Sequence, residues 1–413
     1  MKLHYVCPFC FSEHKIYDVE FACDMRKICG KKDADGNVLV PAGAGEDDPK
    51  MAAYKGVPRI QGPHHFRAPS SAFTKFSMPD KAVCDWCNQV SHTRVCPDCH
   101  NPLPVTIDTD QEAIVALIGT RGSGKSTYVG VLIHEMMKRL FRPFNGTFQL
   151  YGPEDQQQYK ERFEEDLYRL HHLIPQTQSH IAGQTVTENR PILGTLKLQS
   201  TGLFKKIQAM TLVFFDSAGE DWESEEAIRI LAKYVSHSSG IIFLIDPLAN
   251  SAVRSAIDDE EAVRTSTTVD EGEVSEPAEV LNRVADLIRR DRNMKQTDKI
   301  DIPVAAAFSK LDVLEDAGIL PPGSALAQPS PHVQLGKFDD ADRQAVDQEM
   351  RGLLSTWNQG DFLSALDMNY TTNSCMAFSA IGRAPEQNNE IAPPVPKRIE
   401  DAMFWILHIR GLI

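Results

Sequence analysis

Short, nearly uncharged apolar runs recur between residues 113 and 378, and polar or glycine-containing residues follow each of them. Runs of this length with little charge are typical of strands that are buried on both faces of a sheet. The sequence therefore predicts an α/β fold with a mostly parallel sheet. The predicted strands are Ala113–Ile118, Ile192–Leu198, Thr211–Phe215, Gly240–Ile245, Pro303–Phe308 and Ser374–Phe378.

Apolar residues at helical spacing predict helices that flank this sheet. One helix carries Tyr159, Phe163, Leu167 and Leu170 on a single face, and we expect that face to pack against the core rather than against a partner. Cys375, inside a predicted strand, is expected to be a small core residue. The predicted helices are Thr127–Leu140, Glu154–Leu173, Leu281–Arg292 and Pro396–Ile413.

The length of 413 residues exceeds one typical domain, so we expect a core domain and an accessory module. We place the module at residues 1–105 and the domain at residues 106–413, with insertions in the domain near 141–190, 249–280 and 318–340. Within the module, residues 31–83 are rich in Gly, Pro, Ala and Lys, which predicts a long irregular insert.

The excess of negative over positive charge lies after residue 100. Residues 1–100 contain 13 basic and 12 acidic residues, and the remainder contains 30 basic and 45 acidic residues. An acidic body disfavours nonspecific binding to nucleic acid, because that affinity comes mainly from Lys and Arg. No apolar run is long enough to cross a bilayer, and Cys7 and Cys10 interrupt the N-terminus where a leader would need apolar residues. We therefore expect a cytoplasmic protein.

Eight of the nine cysteines precede residue 100, mostly in C-x-x-C pairs, and in a reducing compartment this pattern indicates metal rather than disulfides. The last four form two tight pairs, C-D-W-C and C-P-D-C, which predict a zinc ribbon. We expect two zinc ions in total. Sequential pairing of the cysteines needs the shortest loops, and interleaved pairing across the insert stays open. The eight predicted ligands are Cys7, Cys10, Cys23, Cys29, Cys84, Cys87, Cys96 and Cys99.

His64 and His65 lie within the insert, and we interpret them as ordinary loop histidines because eight cysteines already fill two four-coordinate sites. Two roles are open for the zinc-binding module. It could present a docking surface to another molecule, or the ions could hold together a segment that is too small to fold alone. The sequence supports both interpretations equally.

A glycine-rich segment, G-T-R-G-S-G-K-S, stands between the first predicted strand and the helix after it. The spacing G-x-x-x-x-G-K-S in this context is typical of a phosphate-binding loop. The glycines let backbone N–H groups surround phosphate oxygens, Lys125 reaches the β and γ phosphates, and the Ser126 hydroxyl binds Mg²⁺. The predicted nucleotide-binding residues here are Gly119, Gly122, Ser123, Gly124, Lys125, Ser126 and Thr127.

The sequence D-S-A-G follows the strand Thr211–Phe215 and has the form D-x-x-G. At the end of a buried strand, this motif predicts that Asp216 holds Mg²⁺ and that the Gly219 N–H contacts a γ-phosphate. The next strand, Gly240–Ile245, ends in Asp246 and carries no predicted chemistry, so we interpret it as core.

The last two predicted strands are followed by S-K-L-D, from Ser309 to Asp312, and by S-A, at Ser379 and Ala380. With the two motifs above, they stand in the order found in P-loop GTPases. Over residues 112–413 the chain resembles the translation-factor and Ras-like (TRAFAC) class of that family. More narrowly, it is similar to the bacterial double-GTPase group with N-terminal zinc ribbons. The resemblance implies that Lys310 packs on guanine, that Asp312 accepts the N–H groups of the base, and that the Ser379–Ala380 backbone meets its O6 atom.

Two positions depart from the family pattern. Glu220 stands where Ras-like members have the glutamine that orients the attacking water, which predicts slow or partner-activated hydrolysis. Arg121 lies close to the expected γ-phosphate, where it would act as a built-in arginine finger or block one supplied in trans, the alternative being an arginine that points to the surface. For the switch threonine that completes the Mg²⁺ shell, we choose Thr185 over Thr177, Thr187 and Thr195.

These observations lead us to expect a GTP-binding and GTP-hydrolysing switch that uses GTP or GDP with Mg²⁺ and is coupled to a zinc-binding interaction module. The catalytic residues would be Lys125, Glu220, Arg121 and Thr185. By resemblance, the setting is bacterial conflict or defence, and the partner is a protein such as a second GTPase. The alternative is a non-hydrolysing nucleotide-binding adaptor that acts through its zinc ribbons. A zinc-ribbon factor for nucleic acid conflicts with the acidic body.

Overall fold

A computed structural model describes residues 3–69, 77–108, 111–120, 122–175, 190–199, 207–216, 225–257 and 276–413 of the chain. The chain divides into two compact units, Met1–Glu112 with His180–Pro191 and Ala113–Ser179 with Ile192–Ile413. The main division falls after Glu112, where the sequence prediction placed it after residue 105.

Short antiparallel strands build the first unit. Its described elements are β1 (His4–Val6), β2 (Glu13–Lys15), β3 (Glu20–Ala22), β4 (Lys31–Lys32), β5 (Val38–Val40), β6 (Glu46–Asp47), α1 (Pro49–Tyr54), β7 (Gln61–Gly62), β8 (His65–Arg67), β9 (Ala82–Val83), β10 (Val90–Ser91) and β11 (Thr93–Val95). Strand β3 lies at the centre of a three-stranded sheet, between β11 and β8. The others form the pairs β1–β2, β4–β5, β6–β7 and β9–β10.

The stretch predicted to be irregular, residues 31–83, contains ordered elements in its described part. Helix α1 begins after Asp48, whose carboxylate accepts the Met51 N–H at 2.9 Å, and Pro49 occupies the first turn. Strand β8 pairs with β3, with Phe66 opposite Phe21. The sequence prediction missed these segments, because strands of two or three residues are too short to show a periodicity.

A seven-stranded sheet organises the second unit. Its strands are β12 (Gln111–Gly119), β13 (Gly146–Leu150), β14 (Ile192–Gln199), β15 (Ile207–Asp216), β16 (Gly240–Ile245), β17 (Val304–Phe308) and β18 (Asn373–Ala377). Their order is β13-β14-β15-β12-β16-β17-β18, with parallel pairing from β12 through β18 and antiparallel pairing from β13 through β15. The predicted α/β fold with a mostly parallel sheet is confirmed. The edge strand β13 was not predicted.

The register of the parallel strands aligns their carboxyl ends. Gly119 lies opposite Leu244, Ile245 opposite Phe308, and Phe308 opposite Ala377. Every residue of β16 and β17 is buried, as the uncharged runs in the sequence predict. Strand β12 lies between β15 and β16. The strands that follow β12 along the chain therefore lie on both sides of it in the sheet. In open α/β sheets, ligands bind at the carboxyl ends of the strands beside such a point.

Helices cover this sheet in the described part of the second unit. They are α2 (Lys125–Glu135), α3 (Pro153–Tyr159), α4 (Glu225–Ser236), α5 (Ser251–Ser255), α6 (Pro277–Asp291), α7 (Leu311–Asp316), α8 (His332–Leu335), α9 (Asp340–Thr356), α10 (Gly360–Asn369) and α11 (Asp401–Ile409). The π-helical segments Met136–Leu140 and Lys160–Leu170 extend α2 and α3. Across the described ranges, none of the helices has both the length and the apolar character needed to cross a bilayer.

The extension of α3 packs closely on α2 at Gly130. Phe163 and Leu167 are fully buried, whereas Leu170, at the end of the same predicted face, is 56% exposed. The core-packing prediction therefore holds for all but the last residue of that face. A Cβ atom on Gly130 would lie 2.9 Å from the Phe163 Cβ and 3.0 Å from the Leu167 Cδ1, so the two helices approach too closely for a side chain.

A buried arginine fixes the closing helix α11, which is shorter than the predicted Pro396–Ile413. The Arg398 guanidinium donates to the Asp401 carboxylate at 2.8 Å and to the Gln328 carbonyl at 2.8 Å. It also pairs with Asp342 of α9. These partners satisfy a charged side chain that is buried, which explains how α11 is held against α9.

We predict opposite stability effects for one substitution at two helical glycines. Gly130→Ala should lower the free energy of unfolding by about 1 to 3 kcal/mol, because the Phe163 Cβ must move. Gly352→Ala, on the exposed face of α9 where no atom lies within 4 Å, should raise it by about 0.5 to 1 kcal/mol. Urea unfolding of both variants and the parent protein measures the two changes. Equal effects at the two positions would contradict the tight packing at Gly130.

Candidate functional site

Backbone geometry shapes the loop between β12 and α2. A Cβ atom on Gly119 would lie 2.3 Å from the Leu244 carbonyl oxygen, so only glycine fits where β12 ends beside β16. Gly122 and Gly124 have positive φ angles of 73° and 78°, which favour glycine. Gly124 then caps the 11-residue helix α2, whose N-terminus faces the loop. Each glycine of the predicted motif thus has a physical reason in the backbone.

Polar groups in this loop are suited to an anion. The Lys125 amine donates to the carbonyl oxygens of Gly119 and Thr120 at 3.1 Å each. The hydroxyls of Thr120 and Ser123 are buried without a hydrogen-bond partner. A helix N-terminus favours negative charge, and buried hydroxyls without partners are costly. A phosphate group would supply acceptors for these donors, so the residues present fit a phosphate-bearing ligand.

Helix α4 ties β15 to β12 beside this loop. The buried Tyr234 hydroxyl donates to the Val115 carbonyl at 2.8 Å and lies 3.3 Å from the Phe215 carbonyl. It accepts the Leu117 N–H at 2.9 Å. The end of β15, which is Asp216, therefore lies next to β12 in the sheet. The structure describes the backbone of Asp216 but not its side chain.

A lysine–aspartate pair joins the ends of β16 and β17. The Lys310 amine lies 2.6 Å from the Asp246 Oδ2 atom, and Asp246 is buried. The other Asp246 oxygen accepts the Leu248 N–H at 2.9 Å, which fixes the carboxylate. Lys310 itself has a positive φ of 58° at the start of α7. Sequence analysis interpreted Asp246 as core, and the acidic residue at a strand's carboxyl end was the signal it missed.

The loops after β17 and β18 meet around Asp312. Asp312 is buried, and its carboxylate hydrogen-bonds to Ser379. Burial raises the pKa of the Asp312 carboxyl above its usual range, and the hydrogen bond from Ser379 offsets part of this rise. The Leu311 N–H donates to the Phe378 carbonyl at 3.0 Å, and the Ser379 hydroxyl accepts the Gly382 N–H at 2.8 Å. The two motifs predicted to read one base are thus brought together.

Most predicted nucleotide-site residues lie at this edge of the sheet. Ser126 and Thr127 are half-buried in the first turn of α2, Ser309 donates to the Ile245 carbonyl, and Ala380 follows Ser379. The register described above places these positions at the ends of parallel strands. Four predicted residues lie outside the described part of the chain, namely Arg121, Thr185, Gly219 and Glu220.

The eight N-terminal cysteines form two clusters in the first unit. The outer cluster combines the first and last pairs, and the inner cluster combines the two middle pairs. The pairing is therefore interleaved, and the sequential pairing favoured by loop length is not the one in the structure. The outer cluster is Cys7, Cys10, Cys96 and Cys99, and the inner cluster is Cys23, Cys29, Cys84 and Cys87.

Sulfur–sulfur distances in both clusters fit zinc. A tetrahedral Zn²⁺ ion about 2.3 Å from each thiolate sets its sulfurs about 3.8 Å apart. The outer cluster has Sγ–Sγ distances of 3.8 Å (Cys7–Cys99) and 3.7 Å (Cys10–Cys96). The inner cluster has distances of 3.6 Å (Cys23–Cys87) and 3.8 Å (Cys29–Cys84). A disulfide would require about 2.05 Å. Each cluster therefore fits one zinc ion.

Three of the four cysteine pairs share one backbone turn. In each, the residue after the second cysteine has a positive φ and donates its N–H to the carbonyl of the first cysteine. Those residues are Phe11, Asn88 and His100, with φ angles of 58°, 57° and 55°. The Cys23–Cys29 pair is longer and lacks this arrangement in the described turn. Backbone N–H groups of Phe9 and Asp98 also point at cysteine sulfurs, which favours thiolates.

His64 belongs to neither cysteine cluster. Its Nδ1 atom lies 3.0 Å from Glu46, its Nε2 atom lies 2.6 Å from Asp85, and its ring stacks on Trp86 with centroids 3.7 Å apart. Both ring nitrogens are thus engaged by carboxylates. His64 also offers a ligand atom within 4.8 Å of Cys84 and Asp85, so its interpretation as an ordinary loop histidine stays a prediction.

Comparisons with known proteins place the chain near one bacterial protein. It is 25% identical over 379 residues, which are 89% of this chain and 92% of the relative, to a protein of Mycolicibacterium smegmatis provisionally named ESX-1 scaffolding and assembly protein SaeC. Among solved structures, the signal recognition particle receptor SRb-GDP from Chaetomium thermophilum matches 73% of this chain and 100% of its own, with 12% identity and a TM-score of 0.26. No protein-family profile matches the chain.

We predict that the interleaved pairing can be read from bound zinc. Cys10→Ser and Cys96→Ser should each lower the zinc content by one ion per chain, and the double variant should lose no more than either single variant, because both cysteines serve one ion. Cys375→Ser, a control in the buried strand β18, should retain all zinc. Elemental analysis of the purified proteins measures these values. Loss of two ions in the double variant would indicate sequential pairing.

Proposed function

We propose that this protein is a GTP-binding and GTP-hydrolysing switch whose zinc-binding unit engages a protein partner. One observation carries the proposal. Three features lie at the carboxyl ends of four parallel strands in register. They are the glycine-rich loop after β12, the Lys310–Asp246 pair and the Asp312–Ser379 pair. Open α/β sheets bind nucleotides at such an edge.

At the phosphate end, Lys125 would exchange the Gly119 and Thr120 carbonyls for β- and γ-phosphate oxygens. Its short distance to those carbonyls supports this role, because the amine already points into the loop. Ser126 and Asp216 would hold Mg²⁺, the cation that neutralises phosphate charge during transfer. We assign the γ-phosphate contact to Gly219, the magnesium contact of the switch to Thr185, and the hydrolytic roles to Glu220 and Arg121.

At the base end, Asp312 would recognise guanine. Its carboxylate is buried, and burial raises its pKa despite the hydrogen bond from Ser379, so further donors would stabilise its charge. The N1–H and N2–H groups of guanine would supply two such donors, and adenine offers no matching pair. Asp246 would act as a positioning residue, because it holds the Lys310 stem that would lie against the base.

The relative's name supports a role in assembling other proteins. That relative is assigned to scaffolding and assembly, and this chain aligns with it over most of both lengths. We propose that the zinc-binding unit of this chain contacts a protein component of an assembly, and that the nucleotide state of the second unit controls the contact. A partner GTPase and a setting in bacterial conflict or defence stay proposals drawn from the sequence resemblance.

A second candidate function is an adaptor that binds nucleotide without hydrolysing it. The scaffolding name of the relative favours this candidate, and so does Glu220 in the place of glutamine. In the adaptor, GTP would stabilise the second unit as a bound ligand and would not be consumed. Hydrolysis separates the two candidates, because they share the same binding site.

We predict guanine-selective binding with multiple turnover. Lys125→Ala should weaken GTP binding by about 10- to 100-fold, because a charge-assisted contact to phosphate is lost. Lys138→Ala, an exposed control beyond the same helix, should bind as the parent protein does. Calorimetry with GTP and ATP measures affinity, and phosphate release under excess GTP with Mg²⁺ measures turnover.

The outcomes of this experiment are distinct. Selective GTP binding with repeated turnover supports the switch, and selective binding without turnover supports the adaptor. If Lys125→Ala binds GTP normally, the nucleotide site is elsewhere and both candidates fail.

We also predict a change of base preference in Asp312→Asn. The asparagine amide retains the shape of the side chain but loses its charge, so GTP binding should weaken by about 10- to 100-fold. The amide can donate to the C2 carbonyl of xanthine, so binding of XTP should strengthen. Asp316→Asn, an exposed control in the same helix, should leave both affinities unchanged. Competition between GTP and XTP measures the preference, and an unchanged ratio would remove Asp312 from base recognition.

A further inference from the structure

A second histidine-containing cluster lies in the first unit, apart from both cysteine clusters. It consists of Asp48 at the cap of α1, His65 in β8, and His100, which directly follows Cys99. Relative exposure is 3% for Asp48 and 7% for His100, and the His65 side chain is 7% exposed. These elements come from distant parts of the sequence, so their meeting is a property of the fold.

Each histidine presents one nitrogen to Asp48. His100 Nδ1 lies 2.7 Å from Asp48 Oδ1, and His65 Nε2 lies 3.8 Å from Asp48 Oδ2. The two imidazole rings stack, with centroids 3.9 Å apart and planes at 27°. One nitrogen from each ring and one carboxylate oxygen of Asp48 therefore lie within 4.8 Å of one another.

The other nitrogen of each histidine faces a glutamate. His100 Nε2 lies 3.0 Å from Glu20, and His65 Nδ1 lies 3.7 Å from Glu46. Glu46 is held in place because it accepts the His65 backbone N–H at 2.8 Å. An outer carboxylate behind each histidine is the arrangement that orients metal-ligating imidazoles in proteins.

The hydrogen-bond partners of His65 and His100 favour a cation between these two rings and Asp48. His100 lies between two carboxylates, and a neutral imidazole has only one N–H to donate. Donation from the Nε2 atom to Glu20 leaves the Nδ1 lone pair of a neutral His100 facing Asp48. The His65 Nδ1 atom is buried and has no hydrogen-bond partner, which is costly unless a ligand reorients the ring. A metal on the inner nitrogens directs both N–H groups outward, to Glu20 and Glu46.

Space around the cluster is kept by a glycine. A Cβ atom on Gly62 would lie 3.3 Å from Asp48 Oδ2 and 3.5 Å from His65 Cε1. A longer side chain at this position would press on both proposed ligands. Glycine therefore leaves the carboxylate and the ring free to adjust around an ion.

We propose that Asp48, His65 and His100 bind a third divalent metal ion, a Zn²⁺ ion with nitrogen and oxygen ligands and one position open for water. Zinc lies about 2.0 to 2.2 Å from such ligands, which places them about 3.3 to 3.6 Å apart in a tetrahedron. The distances to Asp48 are 2.7 Å from His100 Nδ1 and 3.8 Å from His65 Nε2, so His100 would move slightly away from the carboxylate and His65 slightly towards it. Lys50 and Arg67 already neutralise Glu20, which keeps Glu20 as an outer partner.

This ion gives the segment 31–83 a metal anchor of its own. That segment contains no cysteine, yet it supplies Asp48 and His65. The third ligand, His100, belongs to the turn that carries the outer cysteine cluster. The ion therefore links helix α1 and strand β8 to that turn. The proposal does not depend on nucleotide binding.

The test counts zinc in the full-length protein. The parent protein, stripped of metal and reconstituted with Zn²⁺, should hold three ions per chain by elemental analysis. His65→Gln and Asp48→Asn should each hold two. The asparagine in Asp48→Asn still accepts the Met51 N–H, so the cap of α1 is kept. His64→Gln, the matched control one residue away whose nitrogens contact Glu46 and Asp85, should hold three.

Cobalt substitution distinguishes the third site from the thiolate clusters. The first two Co²⁺ equivalents should add sulfur-to-cobalt charge-transfer absorption, and the third should add none, because its ligands are nitrogen and oxygen. Retained charge-transfer absorption also shows that a variant is folded. If one variant loses this absorption, the zinc content of the other variant tests the proposal. Two zinc ions in the parent protein overturn the proposal, and so do three ions in both variants.

Discussion

The parallel register of β12, β16, β17 and β18 is the constraint on which the candidate nucleotide site depends. It places Gly119 opposite Leu244 and Phe308 opposite Ala377, so the loops after these strands leave at one edge. A shift by one residue would turn every side chain to the other face of the sheet. The seam at Gly119 is tight enough that the Leu244 carbonyl excludes any Cβ atom. The register is therefore held by packing as well as by hydrogen bonds.

The first unit depends on a different interaction, the convergence of four cysteine sulfurs in each of its two clusters. Its strands have two or three residues, which is too short to bury a large core, and its cysteine sulfurs stand at the spacing of tetrahedral zinc. Zinc bound at these clusters would contribute directly to folding. The outer cluster joins residues near both ends of the module. The residues of the inner cluster and of the insert therefore lie between its two cysteine pairs along the chain.

Sequence reasoning predicted the parts of this protein that are local. Buried strands such as β16 were placed residue for residue, and the glycine-rich loop from Gly119 to Ser126 was predicted from its spacing and its place between a strand and a helix. It missed Asp246, because the role of that carboxylate depends on Lys310, which lies 64 residues away. It missed the order inside residues 31–83, because the strands there have two or three residues and show no hydrophobic period, and β8 is held by its pairing with β3.

By itself, the sequence determined which residues carry the candidate chemistry: glycines that free the backbone, a lysine in the glycine-rich loop, an aspartate after a predicted strand and eight thiols. These are properties of residue types at short spacing, and short spacing sets geometry within one turn or loop. Only the tertiary structure decided which of these groups meet. The interleaved cysteine pairing, the Asp312–Ser379 contact and the convergence of Asp48, His65 and His100 join segments far apart in the chain. The loop-closure cost of such contacts rises only slowly with length, so the packing of whole elements selects them.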